Sequence, residues 1–169
     1  DKSEEELQEA FVRKSAELRR VTRELVDKNP AQYGRFSERV LEIIRRFEEG
    51  QIAAAEGLRE FEDLTRGINA EQGAHADLGM DEQAFSILRI MEAMAPDMDH
   101  ASLQGAAVAV GNVYASAQRD QPSWYFMDGY KKDLRKQVRP ILRSHGVADV
   151  AAVCEKIEEF AVHAYAGTQ

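Results

Sequence analysis

The side chains with the clearest chemical character in this sequence are the basic residues of one short segment, from Trp124 to His145. The segment holds six Lys and Arg residues and two Asp residues, so its net charge is +4. The whole chain has a net charge of -8, which leaves -12 for the rest. Cations at this density bind phosphates or carboxylates. The six basic residues are Lys131, Lys132, Arg135, Lys136, Arg139 and Arg143.

Helical spacing orders these cations on one side of a helix. At about 100° per residue they fall within a stripe roughly 140° wide, and Leu134, Val138, Ile141 and Leu142 fall on an adjoining apolar stripe. Two interpretations stay open: a solvated face that pairs with acidic helices of the same protein, or a ridge that contacts DNA phosphates or an acidic partner. Four aromatic residues lead into the ridge: Trp124, Tyr125, Phe126 and Tyr130. Such a group usually anchors a helix end in a core, and the alternative is an exposed platform for bases or a partner, with Trp124 as a candidate contact residue.

Patterns that carry catalysis are missing from the sequence. It has no glycine-rich phosphate loop followed by Lys-Ser or Lys-Thr, and no dinucleotide-binding glycine pattern. No two histidines lie three or four residues apart, as a helical metal pair would need, and no Glu-x-x-His ligand pattern occurs. The single cysteine, Cys154, is most simply a small core residue. We therefore expect no catalytic, cofactor-binding or metal-binding residue in this chain.

The elements that must position the basic segment are helices. Apolar residues recur at helical spacing along almost the whole chain, and only four prolines interrupt it. Ser3, Asp81, Ser102 and Asp149 are predicted N-caps, and Gly50 a C-terminal glycine. No alternating pattern typical of strands is found. The sequence predicts an all-α fold, a single helical bundle of about six to seven helices.

The chain is long enough for one domain with a sizeable core. We predict one helical domain over residues 1–169, with 29–169 as the bundle; residues 1–28 either join it or form a protruding N-terminal linker helix that ends at Asn29-Pro30. No apolar run reaches the roughly 18 residues of a membrane span, and one cysteine fits a reducing cytoplasm. The opening is acidic and lacks Met, so we expect a fragment of a larger multidomain subunit.

The basic segment also carries a family resemblance. Trp124, then Leu134-Arg135, Val138-Arg139 and Ile141-Leu142-Arg143, is similar to a block near the C-terminus of the R subunit of type I restriction-modification enzymes. Earlier pieces follow in the same order: Asn29-Pro30, the helix from Leu41 to Phe47, Ile52 and Leu58, and Leu78-Gly79-Met80-Asp81 with Phe85. Pro140 and Gly129 depart from the family pattern and leave the straightness of that helix open.

The resemblance implies a non-catalytic assembly domain. The R subunit cleaves DNA and translocates it with ATP, and its nuclease and motor lobes lie N-terminal to this region. ATP and magnesium would thus be bound elsewhere in the parent subunit. The expected partners are the methyltransferase (M and S) subunits, with DNA contact open; no membrane and no small-molecule substrate are expected. The alternative is a free-standing helical module for DNA binding or protein interaction, unrelated to restriction.

Overall fold

The computed structural model describes residues 3–167, and within them the chain is helical. The seven α-helices are α1 (Glu4–Lys28), α2 (Pro30–Glu48), α3 (Ala54–Asp77), α4 (Glu82–Met94), α5 (His100–Asp120), α6 (Asp128–Ser144) and α7 (Val150–Ala166). A single 3-10 turn, Trp124–Phe126, precedes α6. The described residues contain no strand, which confirms the predicted all-α class. None of these helices is both long enough and apolar enough to cross a membrane.

The chain divides into two compact units, with the boundary between Ala74 and His75. The first unit holds α1, α2 and most of α3, and the second holds α4 to α7 with the 3-10 turn. The basic segment lies wholly in the second unit. One helical domain over residues 1–169 stays a prediction.

The core of the first unit is formed by one apolar face from each of its helices. In α1 the residues Phe11, Leu18 and Leu25 are 2–6% exposed, and this face packs against α2. The seven-residue spacing of these three side chains keeps them on one side of the helix. The segment that the sequence left open as a protruding linker helix therefore contributes a full face to this core.

A close approach between α1 and α3 depends on a glycine. A Cβ atom built on Gly57 would lie 2.5 Å from Cε2 of the Phe11 ring. That ring cannot move aside easily, because its centroid lies 4.2 Å from the Phe47 ring and 5.0 Å from the Phe61 ring. Only glycine lets the two helices pack at this distance.

The second unit is built around α4, which is buried on most of its surface. Phe85, Ile87, Leu88 and Met91 are at most 1% exposed, and α4 packs against both α5 and α7. Helix α6 packs against α5 on one side and α7 on another. The basic segment is thus held by two neighbouring helices.

Most helix ends follow the predicted caps. The side chains of Ser3, Asp81 and Asp149 each accept a hydrogen bond from the backbone three residues on, and Gly50 takes the positive φ of 74° that a glycine terminus needs. The prediction of Ser102 as a cap is wrong. Asp99 caps α5 instead and accepts from the Ser102 backbone nitrogen at 3.1 Å, because the helix begins one turn earlier, at His100.

A cationic stripe on helix α6

Helix α6 buries one narrow face. Leu134, Val138 and Leu142 are at most 2% exposed, and they follow one another at intervals of four residues. Ile141 is half-buried beside them. This face holds the helix in the unit and fixes which of its basic side chains point to solvent. The helix continues through Pro140, whose own side chain is exposed.

Two of the six predicted contact residues are engaged in ion pairs beside this buried face. The Lys131 ammonium lies 3.4 Å from the Asp128 carboxylate. The Arg135 guanidinium donates two hydrogen bonds to Glu158 of α7, at 2.8 and 2.9 Å. Hydrogen bonding to Glu158 is the main cause that raises the pKa of Arg135 above its ordinary value. Planar two-point pairing of this kind fixes the guanidinium in place.

The other four form what we call the cationic stripe: Lys132, Lys136, Arg139 and Arg143. All four side chains are exposed. None has a carboxylate within 4 Å among residues 3–167. Their spacing of four, three and four residues places them within about 60° around the helix and over about 16 Å along it. The structure thus narrows the predicted ridge to a line of four exposed cations that no described carboxylate pairs.

The remaining cations of the second unit have partners. Carboxylates pair with Arg89, Lys131, Arg135 and Lys156, and Arg119 donates to the Ser116 hydroxyl at 3.0 Å. Apart from Arg119 on α5, the positive charge of this unit that no described carboxylate neutralises therefore lies on one line of α6. Such a line attracts negatively charged surfaces over a Debye length of about 8 Å at physiological ionic strength.

Trp124, the seventh predicted contact residue, lies inside the unit. Its side chain is 0% exposed, its ring packs among those of Tyr114, Tyr125 and Tyr165, and its indole nitrogen donates to the Gln118 side chain at 3.0 Å. A side chain with no exposed surface offers a partner no contact area. We therefore leave Trp124 out of the proposed contact surface and assign it a packing role.

From the sequence, the aromatic residues here either anchor the helix end or form an exposed platform for bases or a partner, and nothing in it indicates which of them is exposed. Phe126 is 78% exposed and Met127 is 41% exposed. Both lie in the short connection between Pro122 and α6, where no helical period indicates which side chains face solvent. The one available signal was the presence of more aromatic residues here than a single helix end needs for anchoring.

Metal-binding side chains and the cysteine thiol are the groups with most potential for catalysis in the part of the chain that the structure describes. No group of three His, Cys, Asp or Glu residues there could hold a metal ion. Cys154 is buried, and burial raises the pKa of its thiol, an effect that nearby Arg139 partly offsets. A buried thiol with a raised pKa is a poor nucleophile.

These features define a class of protein: an all-helical domain whose most distinctive feature is a line of exposed cations on one helix. Comparison with known proteins gives the family. Residues 4–161 match the family model described as "Type I restriction enzyme HindI endonuclease subunit-like, C-terminal", and the chain belongs to this family.

A relative supports the same assignment. The chain is similar to a protein of Methanocaldococcus jannaschii named "Putative type I restriction enzyme MjaIXP endonuclease subunit", with 25% identity over 144 residues. The match covers 82% of this chain and 14% of the relative, so the chain corresponds to a small part of that protein. No matching solved structure was found. The family match confirms the resemblance to type I restriction enzymes and removes the alternative of a module unrelated to restriction.

Proposed function

We propose that this chain is a non-catalytic assembly domain of a type I restriction endonuclease subunit, and that it docks its parent subunit onto the methyltransferase core of M and S subunits. Nuclease and translocase chemistry, with ATP and magnesium, would then belong to other parts of the parent. Family membership supports the assembly with a restriction enzyme. The match covers only 14% of the relative, which supports placing the nuclease and translocase activities in other parts of such a subunit.

The observation that carries the proposal is the cationic stripe. Some exposed Arg residues in this protein are matched by a carboxylate one helical turn away, as in Arg20–Glu24 and Arg45–Glu49. The stripe lacks this matching although the chain is acidic overall. Charge complementarity of a positive line with a carboxylate-rich partner surface favours encounter and fixes orientation.

The direct test is co-elution of this chain with its cognate methyltransferase core on a sizing column, with and without a DNA duplex. We expect co-elution without DNA. The double variant Lys136→Glu/Arg139→Glu should co-elute poorly at physiological salt. The variant Arg119→Glu/Lys156→Glu makes the same change in net charge on other surfaces of the unit and should behave like the wild type. Normal co-elution of the first variant would contradict the role of the stripe.

A second candidate function, DNA contact, is favoured by the same four side chains, because an unpaired line of cations also fits a phosphate backbone. Four phosphate contacts would make the logarithm of the affinity fall with the logarithm of salt at a slope of about -3.6. A slope near that value for duplex DNA, flattened by Lys136→Glu/Arg139→Glu, would support it. Absence of duplex binding at low salt would exclude it.

A further inference from the structure

An apolar side chain stands exposed beside the start of the cationic stripe. Phe126 has the largest exposed fraction, 78%, among the large apolar side chains of residues 3–167, and Met127 follows it at 41%. The two preceding residues, Trp124 and Tyr125, are at most 5% exposed. The 3-10 turn therefore places two aromatic rings in the core and the third in solvent.

The turn holds Phe126 in a fixed position. Trp124 anchors it from below through its buried ring and its hydrogen bond to Gln118. The backbone nitrogens of Phe126 and Met127 donate to the carbonyls of Ser123 and Trp124, both at 3.0 Å. The Phe126 ring also lies 4.6 Å from the Tyr125 ring. An exposed aromatic group held in this way loses little conformational freedom when a partner covers it.

The exposed ring lies at the end of α6 where the cationic stripe begins. Met127 is the residue immediately before the helix, and Lys132 lies about 6 Å along the axis from its first residue, Asp128. A partner that covers the N-terminal half of α6 would therefore meet an apolar contact first and positive charges beyond it.

We propose that Phe126, with Met127 beside it, is the apolar anchor of the docking surface, and that it inserts into an apolar pocket of a protein partner whose rim carries carboxylates for Lys132 and Lys136. This inference rests on the proposed docking function and adds the shape and chemistry of the complementary site. Buried aromatic anchors at the centre of an interface typically contribute much of the binding energy, with charged pairs around them.

Local charge favours a protein over a nucleic acid as the occupant. The Asp128 side chain, next to Met127, is 100% exposed, and Asp133 beside Lys132 is also exposed. Asp128 pairs with Lys131, and Asp133 stands next to Lys132, so the first turns of α6 carry charges of both signs, which suits a phosphate backbone less than cations alone would. A protein rim can instead combine acidic and basic groups that match this mixed pattern.

The test measures the dissociation constant of the 169-residue chain for the immobilised methyltransferase core. We expect Phe126→Ala to weaken binding about tenfold or more, and Phe126→Leu, which keeps an apolar side chain, to weaken it less. Val12→Ala removes another exposed apolar side chain, 61% exposed on α1, and should leave binding unchanged. Since Phe126 is exposed, thermal unfolding of all three variants should match the wild type.

Three outcomes would overturn the inference. If the wild type binds the core and Phe126→Ala binds equally well, the assignment of Phe126 as the apolar anchor is wrong, while the proposed docking function is unaffected. If the wild type does not bind the core, the proposed function fails and this inference fails with it. If Phe126→Ala weakens binding of a DNA duplex but not of the core, the occupant is a nucleic acid.

Discussion

Arg135 and Arg139 lie one helical turn apart on α6, yet their charges are used differently. Arg135 is held by the Glu158 carboxylate through two hydrogen bonds, and the pair joins α6 to α7. Arg139 has no carboxylate within 4 Å in the described part of the chain and is exposed. Residue type and spacing alone do not separate these roles, because the Glu158 partner comes from a different helix.

This difference predicts unequal effects on stability. Arg135→Ala should lower the free energy of unfolding by about 1 kcal/mol, since it leaves the mostly buried Glu158 carboxylate without its donor. Lys136→Ala, at an exposed position of the same helix, should change it by less than about 0.5 kcal/mol. Chemical denaturation of the two variants measures both effects, and equal losses would argue against a structural role for the Arg135–Glu158 pair.

Gly57 and Gly73 provide a matched test of packing within α3. Gly57→Ala should destabilise the protein by about 1–3 kcal/mol, because its new Cβ meets the enclosed Phe11 ring. A Cβ on Gly73 meets nothing within 4 Å, so Gly73→Ala should stabilise the helix by about 0.5–1 kcal/mol. Thermal unfolding distinguishes the two; a stabilising Gly57→Ala would show that α1 and α3 do not approach as closely as the structure indicates.

At the scale of elements, the seven helices could be predicted from the sequence because each carries its own apolar period and most carry a local cap. The start of α5 was misplaced because two residues near it, Asp99 and Ser102, are both good N-caps. The start of α6 was unclear because the 3-10 turn before it has no period of its own. The cationic stripe was predictable in outline. Leaving Arg135 and Trp124 out of it depends on tertiary contacts, whereas the Lys131–Asp128 ion pair is local to α6.

The position at which α5 begins can be tested at Asp99. Its carboxylate accepts from both the backbone nitrogen and the hydroxyl of Ser102, at 3.1 and 3.3 Å, so Asp99→Ala should lower the free energy of unfolding by about 1 kcal/mol. Asp97→Ala removes an exposed carboxylate two residues earlier, outside the helix, and should have little effect. Equal changes in the two variants would indicate that Ser102, as first predicted, caps the helix.

The whole molecule combines an acidic chain with a line of four exposed cations on α6 that no carboxylate of residues 3–167 pairs. A uniformly acidic surface would repel an acidic partner. The stripe, in contrast, would attract one. Membership in the restriction endonuclease subunit family makes the methyltransferase core the partner that we propose. We therefore propose that α6 presents a docking surface, with the stripe as its charged part.

The most direct measurement of that claim is the affinity of the chain for the isolated methyltransferase core, compared between the wild type and Lys136→Glu/Arg139→Glu. We predict binding of the wild type without DNA, a loss of at least tenfold in the variant, and no loss in Arg119→Glu/Lys156→Glu. Equal affinity of the wild type and Lys136→Glu/Arg139→Glu, with both variants folded as judged by thermal unfolding, would show that the stripe is not part of a docking surface.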